Sequence, residues 1–171
     1  MGRGRSCDLL EVPGVALGAD GATLYIADSS RIVKYVPGEG SDWIASGLTL
    51  AKAVAVDSAG TVFFSDAGTH KVQKIALDGS ISVIAGTGVA GLSGDGDAAT
   101  SAHLSYPRGL AIDAAGNLLI ADAGNHRIRT VAGVAAKYSF IITTVPGGTS
   151  APHERTIASA CVIRLRMSIP A

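Results

Sequence analysis

The chain has 171 residues, enough for one domain with a real core; 47% of them are apolar and only 16% are charged. Lys plus Arg and Asp plus Glu balance at 14 each, so no global field calls for nucleic acid or an anionic membrane. No apolar run approaches the roughly 20 residues of a bilayer span, and 22 Gly placed mostly between short apolar runs read as all-β.

Residues 1–12 form an amino-terminal extension. Met1-Gly-Arg-Gly-Arg-Ser-Cys-Asp8 lacks the hydrophobic stretch of a signal peptide, which leaves a cytoplasmic location as the default. Gly2 followed by Ser6 fits the short myristoylation pattern, one often met by chance. Cys7 and Cys161 lie near opposite ends with no metal-ligand partner at useful spacing and read as free thiols, although one bridge between them is not excluded.

From residue 13 one unit recurs three times: an apolar strand, a turn, a second apolar strand ending in Asp, then a basic strand. The first copy, about 13–46, runs from Gly14-Val-Ala-Leu17 through Ala27-Asp28 to Arg31-Ile-Val-Lys34. The second, about 47–86, runs from Ala53-Val-Ala-Val-Asp57 through Phe64-Ser-Asp66 to His70-Lys-Val-Gln-Lys74, and Ser80 to Ala85 supplies a fourth strand. An insertion at 87–106 follows. The third copy, about 107–145, runs from Gly109-Leu-Ala-Ile-Asp113 through Ile120-Ala-Asp122 to His126-Arg-Ile-Arg129, with Phe140 to Val145 as its fourth strand. Such self-similarity marks an array of one supersecondary unit. Val54-Ala-Val56 and Leu110-Ala-Ile112, the first strands of the second and third copies, are apolar on both sides and are expected to be buried on both faces. The third strands alternate apolar and charged residues and are expected to keep one wet face. Four antiparallel strands of this kind make one blade of a β-propeller.

Asp28 and Asp66 lie 38 positions apart, near the roughly 40–45 of a propeller blade. Asp66 and Asp122 lie 56 apart, the excess being the insertion. Ile84-Ala-Gly-Thr-Gly88, Ser93-Gly-Asp-Gly96, Ala99-Thr-Ser-Ala102, Pro107-Arg-Gly-Leu-Ala-Ile-Asp113 and Ala121-Asp-Ala-Gly-Asn-His-Arg-Ile128 together resemble the NHL repeat of six-bladed propellers. The likeness covers about residues 13–145 and is fainter at 13–35, where Gly18 replaces the usual Asp. It implies a partial, all-β propeller of about three blades. Fold alone does not fix an activity.

After Val145 the rhythm stops, and 146–171 is expected to be irregular. It is either a divergent terminal strand or the tail of a truncated or misread reading frame; the second is favoured because the break falls inside a blade. Three blades are fewer than the 4–8 with which propellers close. The chain is therefore expected to belong to something longer or to self-associate.

Residues present in every copy should build the unit, and function should sit where the copies differ. Asp28, Asp57, Asp66, Asp113 and Asp122 are read as structural turn residues. Asp66 with His70 and Asp122 with His126 have the makings of an acid–base or metal pair, but their repetition favours the turn reading. Ser93-Gly-Asp95-Gly-Asp97 lacks the Glu and the spacing of an EF-hand loop, so no metal is assigned. The Gly-rich 86–96 run lacks the ending of a phosphate loop, and neither a nucleophile elbow nor a Cys-based catalytic signature is present. Alternating strand direction puts Lys52, His70, Arg108, His126 and the insertion on one rim, where propellers usually bind ligands. His103, Tyr106 and Arg108 do not repeat and are preferred within that set.

The reading is a non-catalytic binding or scaffold module whose rim takes a protein, peptide or glycan partner. Neither a cofactor nor nucleic acid is expected. Within the resemblance, the alternative is a propeller enzyme, a lyase or lactonase-like hydrolase with an axial metal. That would need His and carboxylate ligands converging from several blades. A fragment without independent function is the remaining alternative.

Overall fold

The computed structural model describes residues 11–133 and 141–145. Gly2, Cys7, Cys161 and the expected irregular tail 146–171 fall outside the described residues.

Among the described residues ten strands run in chain order: β1 (Gly14–Leu17), β2 (Leu24–Val36), β3 (Gly40–Val56), β4 (Val62–Asp66), β5 (Lys71–Ile75), β6 (Ile81–Ala85), β7 (Pro107–Ile112), β8 (Leu118–Asp122), β9 (Arg127–Val131) and β10 (Ile142–Thr144). Short 3-10 turns at Ala67–Thr69, Ala99–Ser101 and Ala123–Asn125 interrupt them. Every strand pairs antiparallel with its neighbour in sequence, in one sheet of β1 to β6 and a second of β7 to β10.

The six-stranded sheet is two blades joined edge to edge. Leu24–Ala27 of β2 pair with β1, and its second half, Arg31–Val36, pairs with the first part of β3. The last part of β3, Ala51–Val56, is the inner strand of the next blade and pairs with β4. The second and third strands are fused into β2 because only two residues separate Asp28 from Arg31. Between Asp66 and Lys71 a 3-10 turn intervenes. Arg31, ion-paired to Asp28 at 2.7 Å, also lies over the Trp43 ring at 4.6 Å on the adjoining strand.

Hairpin turns follow from side-chain chemistry. Asp57 Oδ1 accepts the N–H groups of Ala59 and Thr61 at 2.9 and 2.8 Å, and Gly60 takes the left-handed φ of 87° that closes the turn. Asp113 does the same for Ala115 and Asn117.

Alternation along β4 sends neighbouring aromatics to opposite sides. Phe64, with Val62 and Ile75, packs against Ala27, Ile32 and Ala45 of the first blade. Phe63, with Val72 and Ile84, packs against Leu118, Ile120, Val131 and Ile142 of the third. The insertion belongs to this second core: Ala99, Ala102 and Leu104 are fully buried in it. Its backbone also pairs with β10, Gly96 N–H donating to the Ile142 carbonyl at 2.9 Å and Ile142 N–H to that of Asp97 at 3.2 Å.

Two burial expectations fail in the third blade. On β9 the charged residue is inside and the apolar one outside: Arg129 is fully buried, while Ile128 is 44% exposed. Val72, in the register of Ile128 one blade earlier, is fully buried because the third blade covers it. The first strand of the third blade is likewise not buried on both faces, since Ala111 is exposed. Ile128 and Ala111 are exposed because the outer face of the third blade has no neighbour among the described residues, whereas Arg129 faces the other way, onto carbonyls of the insertion.

Candidate functional site

In the second and third blades the segment leading into the inner strand is held by the Asp that ends the second strand of the same blade. Asp66 accepts the N–H groups of Thr49 and Leu50 at 3.3 and 2.8 Å, and Asp122 accepts that of Ser105 at 2.6 Å. Neither caps the backbone of the 3-10 turn that follows it; both tether chain some 16–17 residues away, and Asp122 also accepts locally from Asn125 Nδ2 at 2.7 Å. Burial raises the Asp122 carboxyl above the ordinary carboxylate value, against the lowering effect of bonds from Asn125 and Ser105. Gly124 completes the clamp: its N–H donates to the Ser105 carbonyl at 2.8 Å, and a Cβ there would collide with Ser105 Oγ.

Held at both sides, Tyr106 adopts a φ of 47°, a left-handed conformation that a bulky side chain seldom takes. Its N–H donates to His70 Nδ1 at 3.2 Å, and the two rings meet edge to face with centroids 4.9 Å apart. The second blade thus reaches across to fix the exposed aromatic that ends the insertion. His70 and His126 end their 3-10 turns in the same left-handed conformation, with φ of 56° and 53°.

Tyr106, Arg108, Ala123, Gly124 and His126 line an open hollow of about 370 Å³ on this rim. Four of the six rim residues singled out in the sequence therefore gather here, His70 from behind Tyr106 and the other three in the wall. Lys52 stands elsewhere, 3.5 Å from Glu11. His103 is not in the hollow: its ring lies against Gly91, and its carbonyl accepts from Arg129. A second hollow, of about 270 Å³, lies near the turns at Gly60 and Gly79 and is lined mainly by apolar groups such as Tyr25, Ile44 and Leu77.

The buried Arg129 was not legible as a functional group from its place in a basic strand. Its Nη1 donates to the His103 carbonyl at 2.8 Å, and its Nη2 to the Ser93 carbonyl and to Asp95 Oδ1 at 2.9 and 2.7 Å. Asp95 Oδ2 accepts from Thr144 Oγ1 at 2.6 Å. Burial pushes the Asp95 carboxyl up, but the bonds from Thr144 and Arg129 outweigh it and hold it below the ordinary carboxylate value. The Ser93-Gly-Asp95 signal thus marks a strap fastened to β9 and β10. Among the described residues, no three His, Cys, Asp or Glu side chains converge as metal ligands, and no helix is long and apolar enough to cross a membrane.

Residues 104–130 match the family model of the NHL repeat. Over 101 residues the chain is 36% identical to Teneurin-1 of Mus musculus; the match takes in 52% of this chain and 4% of that protein. Among solved structures, a protein of unknown function from Bacteroides thetaiotaomicron superposes with a TM-score of 0.64 at 21% identity, over 81% of this chain and 36% of that one. A chain of the nidogen/laminin complex superposes with a TM-score of 0.58 at 25% identity, over 73% of this chain and 45% of that one. The chain thus spans less than half the length of each.

Proposed function

We propose that this chain, whose residues 104–130 match the NHL repeat, is a binding module that holds a protein or peptide partner on the rim between its second and third blades. The observation that carries this reading is the geometry of Tyr106. A non-glycine residue is held at positive φ by His70 and, through Ser105, by Asp122, and it is 47% exposed beside an open hollow. Backbone strain costs on the order of 1–3 kcal/mol and persists where the surroundings impose it, often at ligand sites. Arg108 and His126 complete the wall. The chain found in the nidogen/laminin complex gives a propeller relative recorded with a protein partner.

The test is selection of a random peptide library on the full chain, followed by mapping of the selected peptides by photo-crosslinking. Capture at Tyr106, Arg108 or His126, lost in Tyr106→Ala, supports the reading. Peptides that all map to the outer blade faces overturn it.

Self-association is proposed alongside. Val15 and Leu17 on β1 of the first blade, and in the third blade Ile128 on β9 with Ile141 and Val145 flanking β10, are exposed apolar side chains. Their covering by another blade, here from a second copy, removes apolar surface from water at about 25 cal/mol per Å².

A further inference from the structure

Lys52 and Arg108 are the same position in two successive blades. Each falls at the register shift of an inner strand, between Ala51 and Ala53 in one case and between Pro107 and Gly109 in the other. The residues around them correspond too: Ala67-Gly68 with Ala123-Gly124, and His70 with His126 at the same left-handed turn end. What differs is the counter-charge. Lys52 Nζ has the Glu11 carboxylate 3.5 Å away, and Glu11 in turn accepts from Ser29 Oγ at 3.1 Å. Arg108 has no acid among the residues that line its hollow, and its side chain makes no ion pair or hydrogen bond among the described residues.

From this internal comparison we infer that the Arg108 hollow takes a carboxylate from the partner, an Asp or Glu side chain of an acidic peptide segment. Glu11 shows the arrangement on the neighbouring blade, where the chain's own carboxylate lies against the cation at this register position. At Arg108 the planar guanidinium replaces an ammonium and offers a carboxylate two parallel donors, which suits a ligand that must be oriented as well as attracted. The His126 imidazole supplies a further donor in the wall, and the exposed Tyr106 ring supplies a surface for the apolar stem of Glu. The hollow's volume of about 370 Å³ suits a side chain and its flanking backbone more than a large rigid ligand. The inference rests on the rim-binding reading above and adds the chemistry of the partner.

The test is a titration of the isotopically labelled full chain with an eight-residue peptide of alternating Glu and Ser, blocked at both ends, and with its Gln and Lys counterparts. The Glu peptide should shift the Arg108 side-chain and the Tyr106 and His126 resonances. It should bind at least about fivefold more weakly to Arg108→Gln, the effect of one lost charge-assisted bond at an exposed site. It should also weaken as salt is raised. A Gln peptide that binds the same residues as tightly as the Glu peptide overturns the carboxylate inference and leaves the rim reading standing. No shift at these residues with any of the three peptides overturns the inference, and whether the rim reading falls with it is then decided by the library selection. Lys52→Gln is the internal control, expected to leave Glu-peptide affinity within about twofold.

Discussion

The Arg129 guanidinium and the Asp95 carboxylate stand 2.7 Å apart, the cation wholly buried under the third blade and the anion 46% exposed at its outer edge. Through this pair and two carbonyl contacts, β9 holds the 87–106 connection against the blade. Three guanidinium contacts go to the strap, and among the described residues Arg129 Nε has no partner.

Truncating the cation should therefore cost far more than truncating the anion. Arg129→Met leaves two carbonyls without their donor and should destabilise by about 2–4 kcal/mol. Asp95→Ala removes a half-exposed partner and should cost about 1 kcal/mol. Urea unfolding of both variants measures this. Equal losses would mean that the strap is held by the ion pair and not by the carbonyl contacts.

Tethering and binding should separate at the rim. Asp122→Ala removes the acceptor for Ser105 N–H and Asn125 Nδ2 and should lower stability by about 1–2 kcal/mol. Arg108→Ala, at an exposed position without a partner, should leave the melting temperature nearly unchanged while weakening acidic-peptide binding. Thermal melts of the two variants, with peptide titration of the second, check the assignment. A larger melting shift for Arg108→Ala would reverse it.

Acid should destabilise the fold through carboxylates held by hydrogen bonds. Asp20 is lowered to about 2, chiefly by its bonds from Thr23 and Ala22, and Asp113 is lowered by those from Asn117 and Ala115. A carboxyl whose folded value lies below its unfolded one stabilises at higher pH, and that contribution is lost as pH falls through the two values. Burial acts the other way at Asp122, whose raised value favours the fold when protonated, a contribution lost as pH rises through the folded value. Melting temperature should thus fall between pH 5 and about pH 2. Asp113→Asn should make the fall shallower and Asp122→Asn should make it steeper. A steeper fall in Asp113→Asn would contradict hydrogen-bonded carboxylates as the origin of the acid sensitivity.

Purified residues 1–171 should sediment at micromolar concentration as a dimer or larger species. Val15→Glu with Ile128→Glu, which puts charge on both bare faces, should shift the population to monomer without loss of β-sheet circular dichroism. A wild-type monomer that unfolds cooperatively would show that three blades stand alone.

Much of this molecule was open to reading from the chain. The expected inner strands near 14–17, 53–56 and 109–112 fall within β1, β3 and β7. The expected fourth strand of the third copy, Phe140 to Val145, contains β10. Asp57 and Asp113 sit at the hairpin turns where Asp followed by Gly placed them. Gathering His70, Tyr106, Arg108 and His126 on one rim required only strand alternation and the position of the insertion. Nothing in the order of residues says that the His103 ring turns toward Gly91 while its carbonyl meets Arg129.

The physical boundary between the two kinds of information is distance along the chain. Strands, turns and the repeat are set by periods of two residues and by side chains bonding backbone two to four residues away, and such local chemistry is written in the sequence alone. Burial of Arg129, exposure of Ile128 and the left-handed Tyr106 depend on partners 26–36 residues away or on the next blade in space. A guanidinium between two apolar-spaced residues reads as solvent-facing until a strap brings it carbonyl acceptors. Only the folded chain supplies those acceptors, and only the packing of one blade against another decides which face of a strand is the inside.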